Sequence, residues 1–301
     1  VDINNTLESS VFQNFALKLK TDIMITEDKK KQIEIETKKI ADNIHHIKHR
    51  IVVFSGKGGV GKTTVSVNLA YGLHIHGYKI GILDADITGP DIPKMTGIKG
   101  ELHTARNKII PQESHGVKVV SMANILPPDQ AVIWRGPLRS KMLNQFLGDV
   151  EWGNLDYLVA DLPPGTGDEI LTMTQNMKPD LAIIVTTPQE LSLIDSARAI
   201  SMAKKMEIPQ IALIENMSGL ICPKCGHLIE LFGIGGGKKQ AEEMNIAFLG
   251  AIPINLEARK LADEGKPIVI ENEEADISIT IFHIVKEIEN MFNENTKTSM
   301  S

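Results

Sequence analysis

The chain has 301 residues, a net charge of −6, 42% hydrophobic residues and only 4% aromatics. That composition suits one large domain with a core of Ile, Leu, Val, Met and Ala, and its acidity argues against a general nucleic-acid-binding surface. No stretch is long and apolar enough to cross a membrane, the first residues lack a secretory pattern, and two cysteines cannot make a disulfide framework, so a reducing, cytoplasmic setting is expected.

Residues 1–26 carry no clear period. Residues 27–50 (EDKKKQIEIETKKIADNIHHIKHR) are charged with interspersed isoleucines and read as a helix or linker with a solvated face. His45, His46 and His49 cluster there, with a metal site as the minor reading. Residues 1–49 are therefore taken as a charged extension.

From residue 50 the pattern changes to short apolar runs: IVVF (51–54), KIGILD (79–84), VKVVSM (117–122), YLVAD (157–161), LAIIVTT (181–187), IALIEN (211–216) and FLGAIP (248–253). Helix-length segments separate most of them. Nearly continuous apolar strands alternating with helices predict an α/β fold, a mostly parallel, doubly wound sheet covered on both faces. Residues 102–112 read as an inserted hairpin or loop. Residues 276–292 have apolar residues at helical spacing, and 293–301 read as a disordered polar tail.

SGKGGVGKTT (55–64) follows the first strand and opens a helix. It fits the phosphate loop of P-loop NTPases, with Gly56, Gly61, Lys62 and Thr63 at the defining positions. Backbone N–H groups of Gly56, Lys57, Gly58, Gly59, Val60, Gly61 and Thr64 can wrap phosphate oxygens. Lys62 reaches the terminal phosphates of ATP, and the Thr63 hydroxyl binds Mg²⁺. Asp84 and Asp86 end the second core strand and Asp161 ends YLVAD. Carboxylates at that edge face the ligand crevice of a doubly wound sheet. Asp168, just ahead of an apolar helix, is the aspartate most suited to capping. The strand ending Glu215-Asn216-Met217-Ser218 lacks the aspartate of a guanine reader, which favours ATP, with Asn216 as a candidate adenine contact.

The two cysteines, Cys222 and Cys225, stand in ICPKCG (221–226). Such a turn brings two thiolates onto one metal. Four-thiolate sites hold either a [4Fe–4S] cluster or structural zinc, so the other half of the site is read as the same loop on a second copy. Zinc, a redox pair and a purely structural pair of thiols are the alternatives, with His227 as a minor further ligand.

The second lysine of the loop, Lys57, makes it resemble the deviant phosphate loop of the MinD/ParA/nitrogenase-iron-protein class. Together SGKGGVGKTT, DADITGPDIP, WRGP (134–137), DYLVADLPPGTGDE (156–169) and ENMSGLICPKCG (215–226) resemble the Mrp/ApbC-type iron–sulfur cluster carriers. The resemblance spans about residues 50–270 and implies an ATPase domain over 50–292 with its cysteine loop at 217–233. It implies a catalytic set of Lys57, Lys62, Asp86 and Asp161. Lys57 would cross a homodimer interface to the partner's nucleotide, and Asp86 would orient the attacking water. Asp84 would lie near the Mg²⁺ shell, Asp161 would be the metal-side carboxylate, and the Gly165 N–H would sense the γ-phosphate. The implied activity is slow, ATP-dependent carriage of a labile [4Fe–4S] cluster to apo-proteins. A MinD-like positioning switch and a zinc-stabilised regulatory dimer are the alternatives. Residues 1–49 are too short and too charged for the small α/β domain that many family members carry in front.

Overall fold

A computed structural model describes residues 31–86, 89–125 and 136–298. Ile87, Thr88, Trp134 and Arg135 of the quoted motifs lie outside the described residues, as do residues 1–30 and 299–301.

The chain is helical over residues 31–44 (α1) and then forms β1 (Ile47–Phe54). Helix α2 (Lys62–Ile75) leads to β2 (Ile80–Asp84) and the short α3 (Ile92–Thr96). Strands β3 (His103–Ala105) and β4 (Lys108–Ile110) pair as the small insertion expected there, ahead of β5 (Gln112–Ser114) and β6 (Val117–Ser121). Next come α4 (Gly136–Gly148), β7 (Leu155–Asp161), α5 (Asp168–Met177), β8 (Leu181–Thr186) and α6 (Glu190–Lys205). Strand β9 (Gln210–Ile221) turns into β10 (Leu228–Ile229), followed by α7 (Gly236–Glu243) and β11 (Ala247–Ile254). Helices α8 (Leu256–Glu264), α9 (Ile268–Glu271) and α10 (Asp276–Thr298) complete the described residues.

Among the described residues one nine-stranded sheet has the order β10-β9-β8-β1-β7-β2-β6-β5, with β11 also on β9. Its central pairs are parallel, and only β5 and β10 are antiparallel to their neighbours. Alternate residues of β1 serve opposite faces. Ile51 and Val53 join one core with Val65, Leu69, Ile281 and Ile284, while Val52 and Phe54 join the other with Phe146, Ile170 and Ile200. Burial on both faces is why β2, β8 and the second half of β1 read as nearly unbroken apolar runs.

Two boundaries differ from the sequence expectation. Ile40 and Ile44 of α1 and Ile47 of β1 are buried in the second core, and Asn43 Nδ2 donates to the Leu147 and Val150 carbonyls at 2.7 and 2.9 Å. Residues 40–47 thus pack as part of the α/β fold. The charges that suggested a solvated linker lie on the other side of α1, where Ile33 and Ile35 are exposed. At the other end α10 runs on to Thr298, through residues 293–298 of the expected tail. Ile277, Ile281, Ile284, Val285, Ile288 and Phe292 of α10 are buried against α2 and β11. No helix among the described residues is long and apolar enough to cross a membrane.

Candidate functional site

The phosphate loop joins β1 to α2 at the carboxyl edge of the sheet. Gly61 is left-handed (φ 80°) at the N-cap of α2, a conformation that L side chains avoid. Gly56 needs its missing Cβ for another reason: a methyl there would lie 2.2 Å from the Asp195 carbonyl of α6. Val60, by contrast, is buried and anchors the loop in the core.

The loop, Thr63, Thr64, Asp86, Asp91, Met95 and Pro164 surround a cleft of about 360 Å³. Lys62 Nζ lies 2.7 Å from Asp161 Oδ2 and 4.0 Å from the Asp86 carboxylate. Thr63 Oγ1 donates to the same Asp161 oxygen at 2.7 Å, and Ser66 Oγ donates to Asp161 Oδ1 at 2.7 Å. Asp161 is fully buried, so this cation and two hydroxyls offset its desolvation. The donor set suits a magnesium nucleotide: a lysine for phosphate, and a hydroxyl and a carboxylate for a hard divalent cation.

Not every expected residue faces that cleft. Asp84 is fully buried one layer behind it, accepting from Ser121 Oγ at 2.9 Å and from the Ile92 and Asp86 N–H groups at 3.3 and 3.2 Å. Lys57 is half-buried and does not line the cleft of its own chain. The Gly165 N–H donates to the Ser55 carbonyl at 2.8 Å, which ties LPPGTGDE to the loop. Asn216 is buried and gives its amide to the Val60 carbonyl at 2.8 Å, so it braces the loop. Asp168 is the first residue of α5, and the cap is Gly167, so its carboxylate serves the helix dipole and not a capping bond.

The cysteines occupy the tip of the β9–β10 hairpin. The Cys222 N–H donates to the His227 carbonyl, and the Gly226 N–H donates to that of Cys222, each at 2.9 Å. Both thiols are unpaired, with Cys222 half-buried and Cys225 exposed. The backbone N–H groups of Lys224 and Cys225 and the Cys225 thiol hold the Cys222 thiol below its ordinary pKa, favouring the thiolate that binds metal. Among the described residues no three His, Cys, Asp or Glu side chains converge on one point, so neither His227 nor the histidines of 45–49 complete a site within one chain. His49 instead stacks on Phe292 at 4.1 Å, and burial lowers its pKa.

Sequence reasoning overlooked Ser66, Asp91, Ser121 and Glu215. Ser66 had a signal, because it lies one helical turn beyond Lys62 and Thr63, on their face. Glu215 had a weaker one, as an acid directly after the apolar run IALI.

Residues 46–289 match the ParA family, described as NUBPL iron-transfer P-loop NTPase. An iron-sulfur cluster carrier protein of Pyrococcus horikoshii is 53% identical over 235 residues, which is 74% of this chain and 80% of the relative. One from Methanocaldococcus jannaschii is 51% identical over 248 residues, 81% of this chain and 85% of the relative. Among solved structures, a nucleotide-binding protein of Archaeoglobus fulgidus in complex with ADP, in which cobalt was found, is 40% identical with a TM-score of 0.70, covering 80% of this chain and 94% of its own. The MinD cell division protein of Aquifex aeolicus shares the fold at 22% identity and a TM-score of 0.59, covering 80% and 97%. The extent and identity of these matches, on top of the shared phosphate loop, place the chain in the ParA-class family of NUBPL-type iron-transfer P-loop NTPases, with the Mrp/ApbC-type carriers its motifs resemble.

Proposed function

We propose that the protein is an ATP-dependent iron–sulfur cluster carrier that holds a labile [4Fe–4S] cluster between two copies of itself and passes it to apo-proteins. The observation that carries this reading is the cysteine hairpin: two thiols at an exposed tip, with no third ligand brought to them among the described residues. Two chains related by a two-fold axis supply four thiolates, the number a [4Fe–4S] cluster takes. Ile221, Leu228, Ile229, Leu231 and Ile234, on the hairpin and its return segment, are exposed large apolar side chains, which suits a face covered by a second copy. Unpaired thiols also fit a reducing compartment, for which we propose the cytoplasm. The names of the relatives agree with carriage of a cluster.

ATP and Mg²⁺ would be held at the phosphate loop. Lys62 offers a cation to phosphate oxygens, and Thr63 and Asp161 present the hydroxyl and carboxylate for the metal ion. When bound, Mg²⁺ would neutralise charge on the phosphates. Asp86 would orient a water, a role that its position at the cleft wall supports. Lys57, outside its own chain's cleft, suits a role across the dimer. Asp84 would act from behind, by fixing the edge on which Asp86 sits. An adenine contact by Asn216 would add to its brace on the loop. Hydrolysis would be slow and would serve a conformational cycle. The buried apolar face of α10 gives no support to a membrane-binding, MinD-like role for that helix.

Anaerobic reconstitution with iron and sulfide, followed by metal analysis, a visible spectrum and the dimer mass, tests the proposal. About four iron and four sulfide per dimer, with visible absorbance lost in cysteine variants, is the expected result. Stoichiometric zinc with no visible-range absorbance would overturn it in favour of a zinc-stabilised dimer.

A further inference from the structure

Strand β9 carries two consecutive polar residues that serve opposite faces of the sheet. Leu213 belongs to the core under α6 and Ile214 to the core under α2. The alternation continues, sending Glu215 toward α7 and Asn216 toward the phosphate loop. Asn216 holds the Val60 carbonyl at 2.8 Å. A Cβ on Gly61 would lie 2.2 Å from the Asn216 amide nitrogen and 3.5 Å from Met217 Cε, so both residues touch the loop.

On the other face Glu215 is fully buried and holds three donors. Its Oε1 accepts from Ser218 Oγ at 2.5 Å and from the Gly235 N–H at 2.9 Å, and its Oε2 accepts from the Gly237 N–H at 2.6 Å. Ser218 precedes the cysteine hairpin, and Gly235 follows it as the N-cap of α7. One carboxylate therefore grips both feet of the segment bearing Cys222 and Cys225.

Between the two grips the strand breaks its pattern. Met217 is left-handed (φ 59°), an unusual conformation for a large side chain, and Gly219 follows at φ 77°. The register with β11 slips there, with Ile252 opposite Asn216 and Ile254 opposite Leu220. Such a bulge re-aims a strand, and the Glu215–Ser218 bond spans it.

We propose that Glu215 is a positioning residue that couples the phosphate loop to the cysteine pair through the bulge at residues 217–219. The inference rests on the reading of the loop as a nucleotide site and of the cysteines as a metal site. A shift of Val60 or Gly61 moves Asn216 and Met217. Glu215, on the same stretch of backbone, carries that shift to Ser218 and Gly235 and so re-aims the hairpin. Linkage then requires the effect to run equally in both directions.

The test uses the full chain, reduced and anaerobic, with cobalt(II) as the metal probe and MgADP as the nucleotide. Cobalt affinity is read from its thiolate charge-transfer absorbance with and without MgADP. Nucleotide affinity is read by calorimetry with and without cobalt. In the parent each ligand is expected to change the other's affinity by one common factor, within the ~5–150-fold range usual for allosteric coupling. In Glu215→Gln and in Ser218→Ala that factor falls toward one, while both variants keep the thiolate band and still bind nucleotide. Ser218→Ala removes a single surface-side donor and decides the matter if Glu215→Gln does not fold. An undiminished factor in the folded variants overturns the proposal, as does a parent that binds cobalt through thiolates with no response to MgADP. A parent with no thiolate band overturns the cysteine reading itself, and the coupling with it.

Discussion

Asp84 and Asp161 stand opposite each other at the ends of β2 and β7, register partners on parallel strands and both fully buried. Their neighbours make them unlike. Asp161 has the Lys62 ammonium at 2.7 Å, whereas Asp84 has only dipolar donors in direct contact. Burial first, and then the charge of Asp161, push the Asp84 carboxyl well above the usual carboxylate range, against the Ser121 hydroxyl, the Lys62 charge and the Ile92 N–H.

This difference gives stability a pH slope. A folded-state pKa above the unfolded value, about 3.9 for Asp, means that the native chain binds more protons between the two values. The Asp84 contribution is complete below the unfolded pKa and is lost as pH rises through the folded one. Asp84→Asn, which cannot ionise, should therefore flatten the decline of Tm from about pH 4 upward. Thermal melts of parent and variant across that window check it; parallel curves would contradict it.

Ser66 should be felt through Asp161. Ser66→Ala removes a buried hydrogen bond to a charged carboxylate, a loss of about 1.5–3 kcal/mol. Chemical denaturation measures that cost. ATP turnover should fall as well, since Asp161 keeps its contacts on one oxygen only.

The two lysines of the loop should separate. Lys62→Ala is expected to abolish nucleotide binding, and Lys57→Ala to spare binding and suppress hydrolysis, because Lys57 does not line its own cleft. Calorimetric ATP affinities set beside turnover rates test the division, and equal losses of both in both variants would refute it.

Cys222→Ala and Cys225→Ala should leave folded chains that bind nucleotide and hold no cluster. The hairpin tip is exposed and contributes nothing to either core. Iron per chain after reconstitution, with Tm as control, is the measurement; iron equal to the parent's would count against the assignment.

The N-terminal helix should prove part of the fold. Ile40 is 2% exposed whereas Ile33 is 61% exposed. Ile40→Ala is expected to cost about 2–5 kcal/mol, as large-to-small changes in cores do, and Ile33→Ala close to nothing. Denaturant midpoints of the two variants decide it.

Seven strands of the sheet and the phosphate loop were legible in the sequence. All seven apolar runs from IVVF to FLGAIP contribute strands, and the central ones, such as IVVF and LAIIV, are apolar throughout because both of their faces are buried. The phosphate loop was legible because its chemistry is backbone chemistry: local glycines and one lysine specify it without help from distant residues. The remaining placements depend on folding, for reasons of direction and partnership. Asp84 and Asp86 are two residues apart, yet one is sealed beneath Ser121 and the other walls the cleft. The α1 charges hid a buried isoleucine stripe, whose partners Leu147 and Phe146 lie about a hundred residues away. Glu215 shows the limit most plainly. Its three donors come from Ser218, Gly235 and Gly237, and only folding brings both feet of the cysteine segment to one carboxylate.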